Sequence, residues 1–89
     1  MSLKELLGAF EAVGLHDPDV WLENDGEVAF DWDVRSDCTL SISVYAATES
    51  IGWAGLIGNA RSWGHCMWKA WPPDELRLFI AAFLKATQP

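Results

Sequence analysis

The side chains able to do chemistry in this chain are mostly carboxylates. Between Asp17 and Asp37 stand eight acids (Asp17, Asp19, Glu23, Asp25, Glu27, Asp31, Asp33 and Asp37) against one base, Arg35. Those 21 residues hold a net charge of −7, as much as the whole chain of 89. From Ile51 onward the balance reverses, with Arg61, Lys69, Arg77 and Lys85 set against Asp74 and Glu75. Such asymmetry creates a field that bears on association more than on folding. Phosphates would be repelled by the acidic half, so the expected partner is a basic protein surface, with no direct contact to nucleic acid.

Other chemistries have candidate residues of their own. Asp31 and Asp33 could form an acid/base pair or hold a hard cation, since two carboxylates on one face can raise one pKa. Catalysis would also need a pocket, which a flat sheet face does not provide, and Mg²⁺ or Ca²⁺ would need more converging oxygens. Cys38 and Cys66 with His16 and His65 offer four zinc ligands, but in none of the paired spacings that preorganise a tetrahedral site. Cys38 could pair with His16 or His65 as nucleophile and base, yet no catalytic signature surrounds either cysteine. Gly52, Gly55 and Gly58 recur every third residue, but a phosphate loop requires a glycine turn leading directly into a helix. Sheet bends, or the close approach of a helix, account for these glycines better. The expectation is no enzyme activity, no metal and no cofactor.

The composition is that of a folded domain, with 51% hydrophobic, 12% aromatic and 21% charged residues. Disorder is excluded for most of the length. The longest clean apolar run, Leu78 to Leu84, is far short of the roughly 18 residues a membrane span requires, so no membrane partner is expected. Glu5 and Glu11 interrupt the first apolar stretch, which does not read as a secretory signal. A cytosolic, reduced setting with free thiols follows as the expectation. No repeat, linker or low-complexity segment divides residues 1–89, so one α+β domain is expected.

The elements that must position the acids can be read in order. Ser2-Leu3-Lys4-Glu5 forms a capping box ahead of Leu3, Leu6, Leu7, Phe10 and Val13 at helical spacing, and Gly14 closes the helix. Val20–Asn24 and Glu27–Val34 form a hairpin about Asn24-Asp25-Gly26. A three-residue loop pairs Leu22 with Val28 and Val20 with Phe30, keeping the apolar faces together. Val28, Phe30, Trp32 and Val34 then point inward, while Glu27, Ala29, Asp31 and Asp33 point outward. A second three-residue turn, Arg35-Ser36-Asp37, leads to a strand from Cys38 to Ala46 that pairs Trp32 with Leu40 and Phe30 with Ile42. Ile51–Ile57 forms a further strand, Asn59–Gly64 a loop and His65–Trp71 a fifth strand. Pro72-Pro73-Asp74-Glu75 opens a final helix with Leu76, Phe79, Ile80, Phe83 and Leu84 on one stripe. The fold class is α+β, an antiparallel meander of four to five strands with an N-terminal and a C-terminal helix packed on one face.

On the outer face, residues two apart project the same way at about 7 Å spacing. Glu27, Asp31 and Asp33 therefore form a carboxylate row, with Glu23, Asp25 and Asp37 near its ends and Thr39 and Ser41 beside it. Aspartate is unfavourable in strands, so placing these charges costs some local stability. Two readings follow: a solvated face that keeps the domain soluble, or a rigid array of negative charge imitating a phosphate track. Trp21 falls on the same face and could anchor a steered contact.

In form the chain resembles the small, acidic, one-domain α+β proteins carried by phages and mobile elements, among them anti-CRISPR inhibitors. The resemblance is carried by chain length, by the hairpin Trp21-Leu22-Glu23-Asn24-Asp25-Gly26-Glu27-Val28, and by the row through Asp31 and Asp33. Anti-CRISPR proteins share no common sequence, so no residue role is carried over from them. The resemblance implies an inhibitor that occupies a nucleic-acid-binding site on a type I CRISPR interference complex, or a similar machine, in the cytoplasm of a bacterial host. Two alternatives use the same residues differently. One is an antitoxin or immunity-type protein neutralising a basic toxin. The other is a structural homodimer pairing through the glycine-containing strand and the surplus tryptophans, so the chain is expected as a monomer or weak homodimer.

Overall fold

A computed structural model describes residues 2–88. Helix α1 (Leu3–Ala12) begins where the Ser2 hydroxyl accepts the Glu5 amide at 3.1 Å. It ends in a Schellman motif: the Leu15 amide donates to the Phe10 carbonyl and the Gly14 amide to that of Glu11, both at 2.9 Å. Gly14 has φ 92, a conformation that glycine takes without penalty, and Leu15 is buried beneath the motif. Five strands follow: β1 (Asp19–Leu22), β2 (Glu27–Arg35), β3 (Cys38–Tyr45), β4 (Ser50–Ile57) and β5 (Ala60–Met67). A 3₁₀ turn (Trp68–Ala70) then leads to α2 (Asp74–Ala86), which carries Asp74 and Glu75 in its first turn and Lys85 in its last. The sheet is an antiparallel meander in the order β1-β2-β3-β4-β5, forming a single α+β domain. Among the described residues no helix is long and apolar enough to cross a membrane.

Both helices cover the same face of the sheet. Phe10 of α1 is fully buried and meets Phe30, Trp32 and Trp71 edge-on, with ring centroids 4.9, 5.4 and 5.3 Å away. Leu76, Ile80 and Phe83 of α2 are buried in the same core as Leu40, Ile42 and Ile51. The buried indoles keep their N–H groups satisfied, Trp32 by the His16 carbonyl and Trp53 by the Ser62 hydroxyl, each at 3.2 Å. Gly55 lies directly under the Phe79 ring of α2, in space a Cβ would occupy. The close approach of a helix thus accounts for this glycine.

The expected pairings are present: Leu22 with Val28, Val20 with Phe30, Phe30 with Ile42 and Trp32 with Leu40. Three local expectations are corrected. The β2–β3 connection is a two-residue turn, Ser36-Asp37, because Arg35 rather than Val34 pairs near Cys38. The offset is absorbed by a bulge between Asp33 and Arg35 that leaves Val34 half exposed. Residues 59–64 are not a loop. Gly58, at φ 59, forms a two-residue turn with Asn59, and β5 starts at once with Ala60 opposite Ile57. Finally, β5 ends at Met67, and Trp68–Ala70 turns away as a 3₁₀ segment.

Gly55→Ala is expected to destabilise the domain by about 1–3 kcal/mol through collision with Phe79. Gly8→Ala, in α1 with no atom within 4 Å of the added Cβ, should stabilise it by about 0.5–1 kcal/mol. Urea unfolding of the two variants checks both; equal effects would mean that Phe79 does not press on β4.

Candidate functional site

The acidic residues are positioned by the β1–β2 hairpin. Its tip closes when the Glu23 amide donates to the Glu27 carbonyl at 2.9 Å and the Asp25 side chain accepts the Glu27 amide at 3.0 Å. Gly26, at φ 84, completes a three-residue loop. That loop length sets Trp21 opposite Ala29 and Asp19 opposite Asp31. With Val20, Phe30 and Trp32 committed to the inner side, alternation turns Asp19, Trp21, Glu27, Ala29, Asp31 and Asp33 to the helix-free side. Across β3 the same face continues with Thr39 opposite Asp33, Ser41 opposite Asp31 and Tyr45 opposite Glu27. Ala29, opposite Trp21, is buried although it faces outward. Trp21 itself remains 57% exposed, set between Glu27 and the three aspartates.

The residues singled out from sequence fall into three groups. Trp21, Glu27, Asp31 and Asp33 share the outer face. Glu23 and Asp25 sit at the hairpin tip, where Asp25 also caps its own turn. Asp37 lies in the β2–β3 turn and is paired with Arg35 at 3.0 Å. The other ion pair among the described residues joins Arg77 to Asp74 on α2. Asp19, Glu27, Asp31 and Asp33 therefore have no cationic partner among those residues. Asp19 is the member that sequence reasoning missed. The strand boundary at Val20 leaves it out, but carrying the register one residue further places it against Asp31.

No family model matches the chain, and no curated protein or solved structure matches it.

A cleft of about 340 Å³ opens beside Asp31 and Asp33, with Asp17 and Asp19 also on its rim and Trp32, Val34, Phe83 and Leu84 in its wall. Gly14 and Thr87 line it too, so the C-terminal ends of both helices border this space. Across the sheet the character changes. The floor between the two sides is made of Ser41, Ser43, Gly52 and Ala54. Beyond it β5 presents Arg61, Trp63, His65 and Met67 outward. Trp63 is 70% exposed.

The sulfur and imidazole groups do not assemble. Cys38 is fully buried opposite Ile57, Cys66 is opposite Ile51 at the other end of β4, and both thiols are free. Burial raises the Cys66 pKa. Among the described residues no three His, Cys, Asp or Glu side chains converge on a metal position. Tyr45 has its pKa raised above 10.0, first by a hydrogen bond with Glu27, then by desolvation and by the Glu27 charge.

Two outcomes follow. Asp19 and Asp31 are like charges directly opposite one another, so Asp31→Asn should stabilise the domain by about 0.2–1 kcal/mol at low salt, with the gain shrinking as salt is added. Urea titrations at two ionic strengths measure this; a loss of stability would reveal an internal partner for Asp31. Tyr45 is the chain's one tyrosine, so phenolate absorbance reads it alone. Its neutral form is favoured in the fold, so its contribution to stability is intact below about pH 10 and is lost as pH rises through the folded value. Glu27→Gln should shift the absorbance midpoint downward; an unmoved midpoint would separate Tyr45 from Glu27.

Proposed function

We propose that this chain is a non-enzymatic inhibitor. Its acidic half-sheet docks on a Lys/Arg-lined surface of a nucleic-acid-binding protein and keeps nucleic acid off it. The observation that carries this reading is the set Asp19, Glu27, Asp31 and Asp33, held on one face of a stiff sheet with no cationic partner among the described residues. A face needed only for solubility gains nothing from setting two aspartates against each other across a strand pair, an arrangement that opposes folding. A basic partner would relieve that repulsion, so part of the binding energy is already present in the free protein.

The residues take distinct roles. Asp31 and Asp33, joined by Asp19 and Glu27, substitute for phosphates. Glu23, Asp25 and Asp37 are rim charges that speed encounter, Asp37 least because Arg35 offsets it. Trp21 supplies apolar area at the centre of the row. The cleft suits a lysine or arginine side chain, whose stem would lie on Trp32, Val34 and Leu84 with its head toward the acidic rim. A CRISPR interference complex, with its basic channels for guide and target, is one assembly of the required kind.

The test uses the purified protein as bait in lysate of a bacterial host, followed by affinity measurement on the captured partner. Asp31→Lys with Asp33→Lys should leave the circular dichroism spectrum unchanged and weaken binding by more than about thirty-fold, the equivalent of about 2 kcal/mol. Binding should fall steeply with salt, and nucleic acid should compete for the same surface. Equal binding by the double variant, or a partner that holds nucleic acid and this protein together, would overturn the reading.

A further inference from the structure

The two edges of the sheet are built differently. Strand β1 has four residues, lies between Pro18 and Glu23, and begins with Asp19; short, charged edges of this kind resist pairing with other chains. Strand β5 has eight residues with no proline and no carboxylate, and no carboxylate occurs anywhere between Glu49 and Asp74. Its backbone phase is fixed at both ends. Ala60 and Ile57 flank a two-residue turn, and the Trp68 amide donates to the Glu49 carbonyl at 2.7 Å. By antiparallel alternation, Ala60, Ser62, Gly64 and Cys66 direct their N–H and C=O groups toward β4. The backbone groups of Arg61, Trp63, His65 and Met67 point away from the sheet, and the side chains of Trp63 and Met67 are 70% and 46% exposed.

From this edge we infer that two copies of the chain associate through β5, antiparallel about a two-fold axis at Gly64, to form a continuous ten-stranded sheet. The register follows from the phase. Outward-pointing groups must meet outward-pointing groups, and the outer face must remain one face, so odd-numbered residues pair with odd-numbered residues. Arg61 opposite Met67 and Trp63 opposite His65 of the second copy uses all four positions, for about eight backbone hydrogen bonds. Centring the axis on Trp63 instead leaves Met67 unpaired.

Charge selects a second copy at this edge and no other. Each chain carries −7, and an approach through β5 puts the acidic β1–β2 halves at the two far ends of the joined sheet. The two Arg61 side chains lie about six residues apart along the strands, roughly 20 Å, beyond the screening length of about 8 Å in physiological salt. A head-to-tail contact of β5 with β1 would find outward backbone groups only at Val20 and Leu22. It would also generate an open fibre rather than a closed dimer. The product is a bivalent particle with an acidic face at each end.

Sedimentation velocity up to about 1 mM, where even a millimolar Kd populates the complex, should show a monomer–dimer equilibrium that tightens with salt as repulsion is screened. The opposite salt response separates this contact from binding through the acidic face. In hydrogen exchange, the amides of Arg61, Trp63, His65 and Met67 should gain protection as concentration rises. His65→Pro removes an outward N–H without breaking a bond to β4, and Trp63→Lys places a charge at the edge; each should weaken association by more than about tenfold. Should the proline variant fail to fold, the lysine variant and the exchange pattern decide. A monomer at about 1 mM, a dimer indifferent to Trp63→Lys, or a dimer whose four amides exchange as in the monomer would overturn the inference.

Discussion

The structure depends on the burial of one face of the sheet around Phe10. Its ring is closed off by Phe30, Trp32 and Trp71, which ties the N-terminal helix, the second strand and the approach to the C-terminal helix into one contact. Because side chains alternate along a strand, committing Phe30 and Trp32 inward leaves no choice for Asp31 and Asp33. A slip of one residue would bury the carboxylates and expose the aromatics, at a cost of several kcal/mol for each group moved. The acidic face is thus enforced by the apolar one. This is why charges that repel one another can be held in place without partners of their own.

The same constraint divides the outer surface into two unlike halves. The first hairpin carries the aspartates, the last carries Arg61, Trp63 and His65, and small residues separate them. Among the described residues no second layer covers the outer face, and its two halves suit different visitors. One attracts cations over a distance; the other offers unpaired backbone and exposed rings at short range.

Much of this was legible in the sequence because it rests on period. Alternation in β2 and β3 predicted their facing residues and pairing, and the choice of a three-residue loop at Asn24-Asp25-Gly26 predicted the β1 register. What escaped was local. The bulge near Val34 arises because Arg35, not Val34, pairs with Cys38, and alternation alone does not signal an extra residue. The first half of β5 was missed because Ser62 and Gly64, two of its inward positions, are small: they leave room for the Trp53 ring, so this part of the strand has no apolar stripe of its own. The Gly58-Asn59 pair was the available turn signal. Asp19 was lost to a boundary drawn one residue late, although the register already implied its place opposite Asp31.

The central claim is that one patch, rather than overall negative charge, attracts a basic surface. An NMR titration of the protein with a lysine- and arginine-rich peptide tests it most directly. Shifts concentrated at the Trp21 indole and at the amides of Asp19, Asp31 and Asp33, with Glu5, Glu11 and Glu75 on the helices unaffected, are the result this account predicts. Shifts spread evenly over every exposed carboxylate would contradict it.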